Sequence, residues 1–231
     1  MTQPEAHEDS RDSGSLSSRL GHVYWIGGAS GSGKSTIARR LADKHGLRLY
    51  SADEAMGDHA RRWLPEDCPN LTAFVKMSMD QRWVDRPPQT MLETFHWFQG
   101  EGFGLIIEDL LALPADQGII AEGFRLLPHL VKPLLDDPSH CVWLIPTPEF
   151  RLAAFESRGT LWSIPNKTSN PKRALSNLLE RDRLFTERLK GMVETAGLLA
   201  ITVDGSLTED ALESCIARKF GLDGRGSGSR P

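Results

Sequence analysis

The chain is 231 residues long, with a net charge of −4 and 39% apolar residues. That suffices for one domain with a sizeable core, and the charge gives no reason to expect nucleic-acid binding. No apolar run approaches a membrane span. Cys68, Cys141 and Cys215 are too scattered for a metal motif or a disulfide framework, which favours a reducing cytoplasm.

Residues 1–20 are polar and acidic, lack a signal peptide's basic and apolar regions, and read as a disordered leader. Residues 220–231, with Gly-Arg-Gly-Ser-Gly-Ser, read as a flexible tail. Between them, 21–219 reads as a single domain of alternating strands and helices. Strand one is expected at 22–27, and its helix at 34–45, stopping before Gly46. Strand two follows at 47–51, then a helix from Asp53 toward Trp63. The stretch 64–117 is the least regular; 90–113 reads as mainly helical, interrupted by Gly100, Gly102 and Gly104. Strand three is expected at 118–122, a helix at 127–135, strand four at 141–145 and a helix at 149–157. A loop at 159–171 leads to a long helix at 173–195, strand five at 199–203 and a last helix at 208–219. Such alternation implies a largely parallel sheet covered on both faces.

Between strand one and its helix lies Gly28-Ala29-Ser30-Gly31-Ser32-Gly33-Lys34-Ser35-Thr36, a complete G-x-x-x-x-G-K-[ST] motif. The glycines let bare backbone wrap a triphosphate and turn N–H groups inward. The helix opening at Lys34 adds the positive end of its dipole. Lys34 is expected to reach the β- and γ-phosphates, and the Ser35 hydroxyl to bind Mg²⁺. All nine residues are nucleotide-binding candidates.

Two acids follow apolar strands. Asp53 ends Tyr50-Ser51-Ala52-Asp53, where strand ends deliver groups to the ligand crevice. It reads either as acceptor of a substrate hydroxyl's proton or as cap of the next helix, with Glu54 as fallback base. Glu122 ends Ile119-Ile120-Ala121-Glu122 and is the expected Mg²⁺ partner of Ser35.

Segment 151–190 holds nine Lys/Arg against four acids, which suits either an anionic ligand or a solvated helix face. Arg158, Arg181 and Arg188 are the candidates for steadying a transferring phosphoryl group. The aromatic residues Trp63, Trp83, Phe95, Trp97 and Phe98 read as core or as a stacking surface for an acceptor. The histidines show no metal-ligand spacing.

The glycine loop, the two strand-end acids and the arginine-bearing segment resemble the P-loop small-molecule kinases: adenylate kinase, shikimate and gluconate kinases, and chloramphenicol phosphotransferases. Glu122-Gly123-Phe124-Arg125 is similar to the Asp-Gly-Phe-Pro-Arg of adenylate kinases, with Glu for Asp and no proline. Residues 142–158 resemble the strand and helix entering the lid of these kinases, and Arg181-Asp182 with Arg188-Leu189 resembles the lid's exit helix. The resemblance implies a P-loop NTPase α/β/α fold with a five-stranded parallel sheet of order 2-3-1-4-5. It also implies a helical acceptor-binding insertion at 54–117 and a lid at 158–175. Asn166-Lys167-Thr168-Ser169 lacks the aspartate of the guanine motif, which favours ATP. The expected activity is transfer of the γ-phosphate of Mg-ATP to a small-molecule acceptor. A nucleotide-binding regulator or NTP-hydrolysing switch is the alternative.

Overall fold

Alternate residues of the strands belong to two different cores, and this alternation sets the layers. A computed structural model describes residues 15–223. In β1 (Val23–Gly28), Val23 and Trp25 join one core while Tyr24 and Ile26 join the other. β3 (Ile119–Glu122) and β4 (Cys141–Pro146) divide the same way, with Ala121 and Trp143 on the first side and Ile120 and Leu144 on the second. A strand apolar on both sides must be covered on both sides.

Five strands pair in the order β2-β3-β1-β4-β5, all parallel, with β2 at Arg48–Ser51 and β5 at Ala200–Val203. This is the α/β/α arrangement and strand order expected of a P-loop NTPase. The second core is closed by Ile37 and Leu41 of α2 (Lys34–His45), together with Leu212 and Ile216 of α11 (Glu209–Lys219). The first is closed by Phe185 and Leu189 of α10 (Pro171–Ala196), with Ile106 and Leu110 of α7 (Phe103–Ala112).

The helix expected from Asp53 toward Trp63 is α3 (Met56–Arg62). The region that read as least regular, 64–117, begins as a chain of short helices, α4 (Pro69–Val75), α5 (Met79–Trp83) and α6 (Pro88–Thr94), with a 3₁₀ turn at His96–Gln99 before α7. The single helix expected at 127–135 is instead α8 (Pro128–Val131) followed by a 3₁₀ turn, Lys132–Leu134. Pro133 supplies no N–H to continue the α-helical ladder. After β4, α9 (Pro148–Ser157) runs toward the expected lid.

The ends need correcting. Residues 1–14 and 224–231 lie outside the described residues. The last residues assigned to the leader fold, forming α1 (Leu16–Arg19) with Leu20 in the first core. Phe220 and Leu222, assigned to the tail, lie in the second core. Their apolar side chains outweigh the polar character of the flanking sequence. Among the described residues no helix is long and apolar enough to cross a membrane.

Trp143 joins these levels: it is fully buried in the central strand pair, and its indole N–H donates to the Leu126 carbonyl at 2.8 Å. Trp143→Ala is expected to lower unfolding stability by about 3–5 kcal/mol, read by chemical denaturation. A loss near zero would mean that the site collapses around the missing ring.

Candidate active site

The loop after β1 owes its shape to its glycines. Gly31 and Gly33 both have φ of 79°, a region that L side chains rarely adopt. A Cβ on Gly31 would also lie 2.9 Å from Arg151 Cγ, so the loop rests on that side chain. Gly33 caps α2, whose first turn has no side-chain cap. Its N–H groups are therefore open to an anion. Ser32 in the loop is 1% exposed and Lys34 in the first turn 5% exposed, whereas Ser35 is an exposed residue.

Two carboxylates meet at the loop. Lys34 Nζ lies 3.4 Å from Asp53 Oδ2, and Asp53 Oδ1 accepts from the Phe124 N–H at 3.2 Å. Asp53 does not cap the following helix, which starts at Met56 without a side-chain cap. Glu122 accepts from Ser35 Oγ at 3.0 Å and from Ser51 Oγ at 2.6 Å. Burial pushes the Glu122 carboxyl up from its usual range, and Lys34 and the two hydroxyls only partly oppose this. Gly123 makes the approach of the two acids possible. Its φ is 155°, and a Cβ there would stand 2.9 Å from both Ala52 Cβ and Asp53 Oδ1. Glu54 is exposed, and its N–H bonds to Ser51 Oγ.

The candidate arginines separate. Arg181 is 7% exposed, with its guanidinium 4.7 Å from the Phe95 ring, 5.2 Å from Phe98 and 5.3 Å from Trp83. It donates to Asp182, while its buried Nη1 has no hydrogen-bond partner among the described residues. With Asp182 and Ser30 it lines a cavity of about 320 Å³. Arg158 is exposed and lines a different cavity, of about 420 Å³, with Gly31, Gly33 and Thr36. Arg188 does not join the loop. It lines a groove on the side of α8, with His129 and Lys132. Two helical turns carry it roughly 10 Å along α10 from Arg181, which is why sharing a helix face with Arg181 does not bring it to the site.

Several residues that the sequence reading did not place among the candidates pack around the site. Arg151, 3% exposed, lies under the loop and donates to Thr186 Oγ1, which in turn donates to the Asp182 carbonyl at 2.7 Å. Among the nine basic residues of its segment nothing distinguished it. Arg125 is 2% exposed, donates to the carbonyls of Ala52 (3.2 Å) and Gly102 (3.0 Å), and lies 4.1 Å over the Trp97 ring. Burial lowers its pKa to about 10, so it stays charged at neutral pH. Arg125 also donates to His59 Nδ1, which assigns the ring proton to Nε2, bonded to Asp109 at 2.8 Å. Asp109 further accepts from Tyr50 Oη at 2.8 Å and from Arg62 at 2.6 Å. This network ties the insertion to the strand-two loop that carries Asp53.

Chemically, the arrangement offers an anion cradle, a cation at its centre, a carboxylate beside that cation, and oxygen donors at Ser35 and Glu122 suited to a hard cation. Among the described residues no group of His, Cys, Asp and Glu could hold a metal by itself.

No protein-family model matches the sequence, and no curated protein matches it. Among solved structures, the chain is similar to an uncharacterized protein from Eubacterium ventriosum (15% identity, 86% of this chain and 97% of that one, TM-score 0.45). It is also similar to deoxyadenosine kinase from M. mycoides. One structure of that kinase holds dCMP and a flexible dCDP as products (14% identity, 86% and 98%, TM-score 0.49). The other holds dATP (14% identity, 86% and 98%, TM-score 0.46).

Asp109 gives the network a pH signature. Burial works against its ionisation, but the bonds from Arg62, His59 and Tyr50 outweigh it and leave the carboxyl below the usual range. A depressed carboxyl stabilises the fold above its unfolded pKa, and that contribution fades as pH falls through the folded one. Asp109→Asn is expected to be less stable than the parent at neutral pH, with the difference shrinking in acid. Thermal unfolding across pH reads this, and a difference independent of pH would remove the charge from the account.

Proposed function

We propose that this chain is an ATP-dependent phosphotransferase moving the γ-phosphoryl group of Mg-ATP to a hydroxyl or phosphate of a small molecule. The observation that carries the reading is Asp53. Its carboxylate stands 3.4 Å from the phosphate-loop lysine and does not cap a helix. A switch needs only to position water, whereas a carboxylate held beside Lys34 is suited to take the proton of an attacking acceptor.

In this mechanism the loop N–H groups and the first turn of α2 hold the phosphates. Lys34 turns from Asp53 to the β- and γ-phosphates. Ser35 and Glu122 would hold Mg²⁺, which neutralises phosphate charge when bound. For a hydroxyl acceptor, the proton passes to Asp53 as the acceptor oxygen bonds to the γ-phosphorus. The bond to the β-phosphate oxygen breaks, and ADP leaves. Arg181, its guanidinium held by Asp182 and aromatic rings, steadies the transferring oxygens. Arg158 belongs to the nucleotide side of the loop. We assign 54–117 to the wall of the acceptor site and 158–175 to a lid. Burial of the loop beneath a closed lid would exclude water from the transfer.

The test is Asp53→Asn with the full chain, Mg-ATP and a panel of hydroxyl and phosphate acceptors. Turnover is expected to fall by about 10²–10⁴-fold. ATP binding should hold or tighten, because the change removes a negative charge beside Lys34. Unchanged acceptor turnover would reject the role of Asp53. Hydrolysis that no acceptor stimulates would favour an NTP-hydrolysing switch.

A further inference from the structure

One guanidinium joins the turn after β3 to three segments that reach it from elsewhere in the chain. Arg125 Nη1 donates to the Ala52 carbonyl at 3.2 Å and to His59 Nδ1 at 2.8 Å, and Nη2 donates to the Gly102 carbonyl at 3.0 Å. The Trp97 ring covers its face at 4.1 Å. Gly102 leaves room for it. Its φ is 71°, and a Cβ there would stand 3.2 Å from Arg125 Nη2. The glycine that reads as an interruption in 90–113 thus brings a carbonyl to the cation. Among the described residues Arg125 bonds only to the exit of β2, to α3 and to the start of α7, never to the phosphate loop.

What this grip holds is the segment that carries the proposed base. Ala52 precedes Asp53 and is held on both sides. Its N–H donates to the Glu122 carbonyl at 2.9 Å, and its carbonyl accepts from Arg125. The Asp53 carboxylate accepts at 3.2 Å from the N–H of Phe124, the residue just before Arg125. One turn therefore holds Asp53 at two points, through the side chain of Arg125 at the preceding carbonyl and through backbone at the carboxylate. The imidazole of His59 completes the hold. Asp109 takes the proton of Nε2 at 2.8 Å, which leaves Nδ1 bare to accept from the guanidinium.

We propose that Arg125 is a positioning residue for phosphotransfer: held by His59 and the Gly102 carbonyl, it sets Asp53 in place beside Lys34 and couples the insertion to the base. This rests on the phosphotransferase reading. Arg125 acts through Ala52 and Asp53. Transfer needs the base within contact distance of the acceptor oxygen, and a misplacement of about 1 Å can cost a hundredfold in rate. The loop N–H groups and Lys34 hold phosphate without help from Arg125, so its loss should appear in turnover rather than in nucleotide affinity.

The experiment uses the full chain with Arg125→Lys, His59→Gln and His59→Asn. Arg125→Lys keeps the charge but lacks the fork that reaches Ala52, His59 and Gly102 together. His59→Gln keeps an amide toward Asp109 and removes the acceptor that faces Arg125. His59→Asn does the reverse, and the pair keeps the test open where Arg125→Lys does not fold. Crystal structures read the separation of Lys34 and Asp53. ADP release from Mg-ATP is read with water alone and with adenosine, AMP, gluconate and glycerol as acceptors, and Mg-ATP affinity by calorimetry. In Arg125→Lys and His59→Gln, Asp53 is expected to move away from Lys34, and turnover to fall by about tenfold to a hundredfold. Mg-ATP affinity should hold or tighten, and His59→Asn should lose less turnover than His59→Gln. Added to Asp53→Asn, either damaging substitution should cost less than about twofold, because the residue it acts through is already gone. Asp53 unmoved in a folded variant, or a loss that repeats in full beside Asp53→Asn, overturns the positioning role. Displacement of Asp53 without loss of turnover overturns Asp53 as the base and the catalytic part of the proposal with it. Displacement of Asp53 in a protein whose parent turns over with no acceptor overturns the phosphotransferase reading and upholds the hold of Arg125 on Asp53.

Discussion

A buried ammonium organises the top of the sheet. Lys34 is 5% exposed, too deep for water to solvate freely, and an uncompensated charge at such depth costs several kcal/mol. Without phosphates, Asp53 at 3.4 Å compensates it, and Glu122 adds to the local negative field. Phosphates arriving in the loop would replace that compensation with something stronger. On the phosphotransferase reading this exchange has a chemical use: the carboxylate that steadies the empty loop becomes free to accept a proton once the loop is full. Ground-state electrostatics and catalysis then draw on the same pair of side chains.

Strand register enforces this geometry. Glu122 is opposite Ser51 on one side and Ile26 on the other, so its carboxylate meets Ser51 Oγ and Ser35 Oγ together. A slip of one residue would turn every side chain of β3 to the opposite face. Ala121 would then stand where the acid is needed, and Glu122 would enter a core. The apolar alternation that closes the two cores therefore also aims the acid. Gly123, with no Cβ, lets the chain turn immediately beyond it without pushing Asp53 away.

What the sequence disclosed follows from how local each signal is. The glycine loop needs nine consecutive residues, and the strand-end acids need one abrupt change in polarity, so the places of both were legible. The insertion was not, because helices such as Met79–Trp83 are too short to display a period. Its anchoring is long-range: Arg125 binds carbonyls at 52 and 102 and a histidine at 59, contacts with no sequence signature. The arginines show the same limit from the other side. Seven residues apart, Arg181 and Arg188 share one face of α10, but a face extends the whole length of the helix, and only the packing beneath it decides which turn lies near the loop.

Charge distribution near the site differs from that of the chain. The molecule is net acidic, yet Arg125, Arg151 and Arg181 are buried with a single carboxylate hydrogen-bond partner among the described residues, Asp182, which accepts from Arg181. Carbonyls, a hydroxyl, an imidazole and aromatic faces hold the rest. Aromatic faces attract a cation without cancelling its charge. Much of the positive potential beside the loop is thus kept rather than neutralised. Desolvated arginines oppose folding, as the lowered pKa values of Arg125 and Arg151 indicate. A fold that carries this cost gains stability from any polyanion that binds its native state alone. On the phosphotransferase reading, the same placement of charge that opposes folding favours phosphate at the loop.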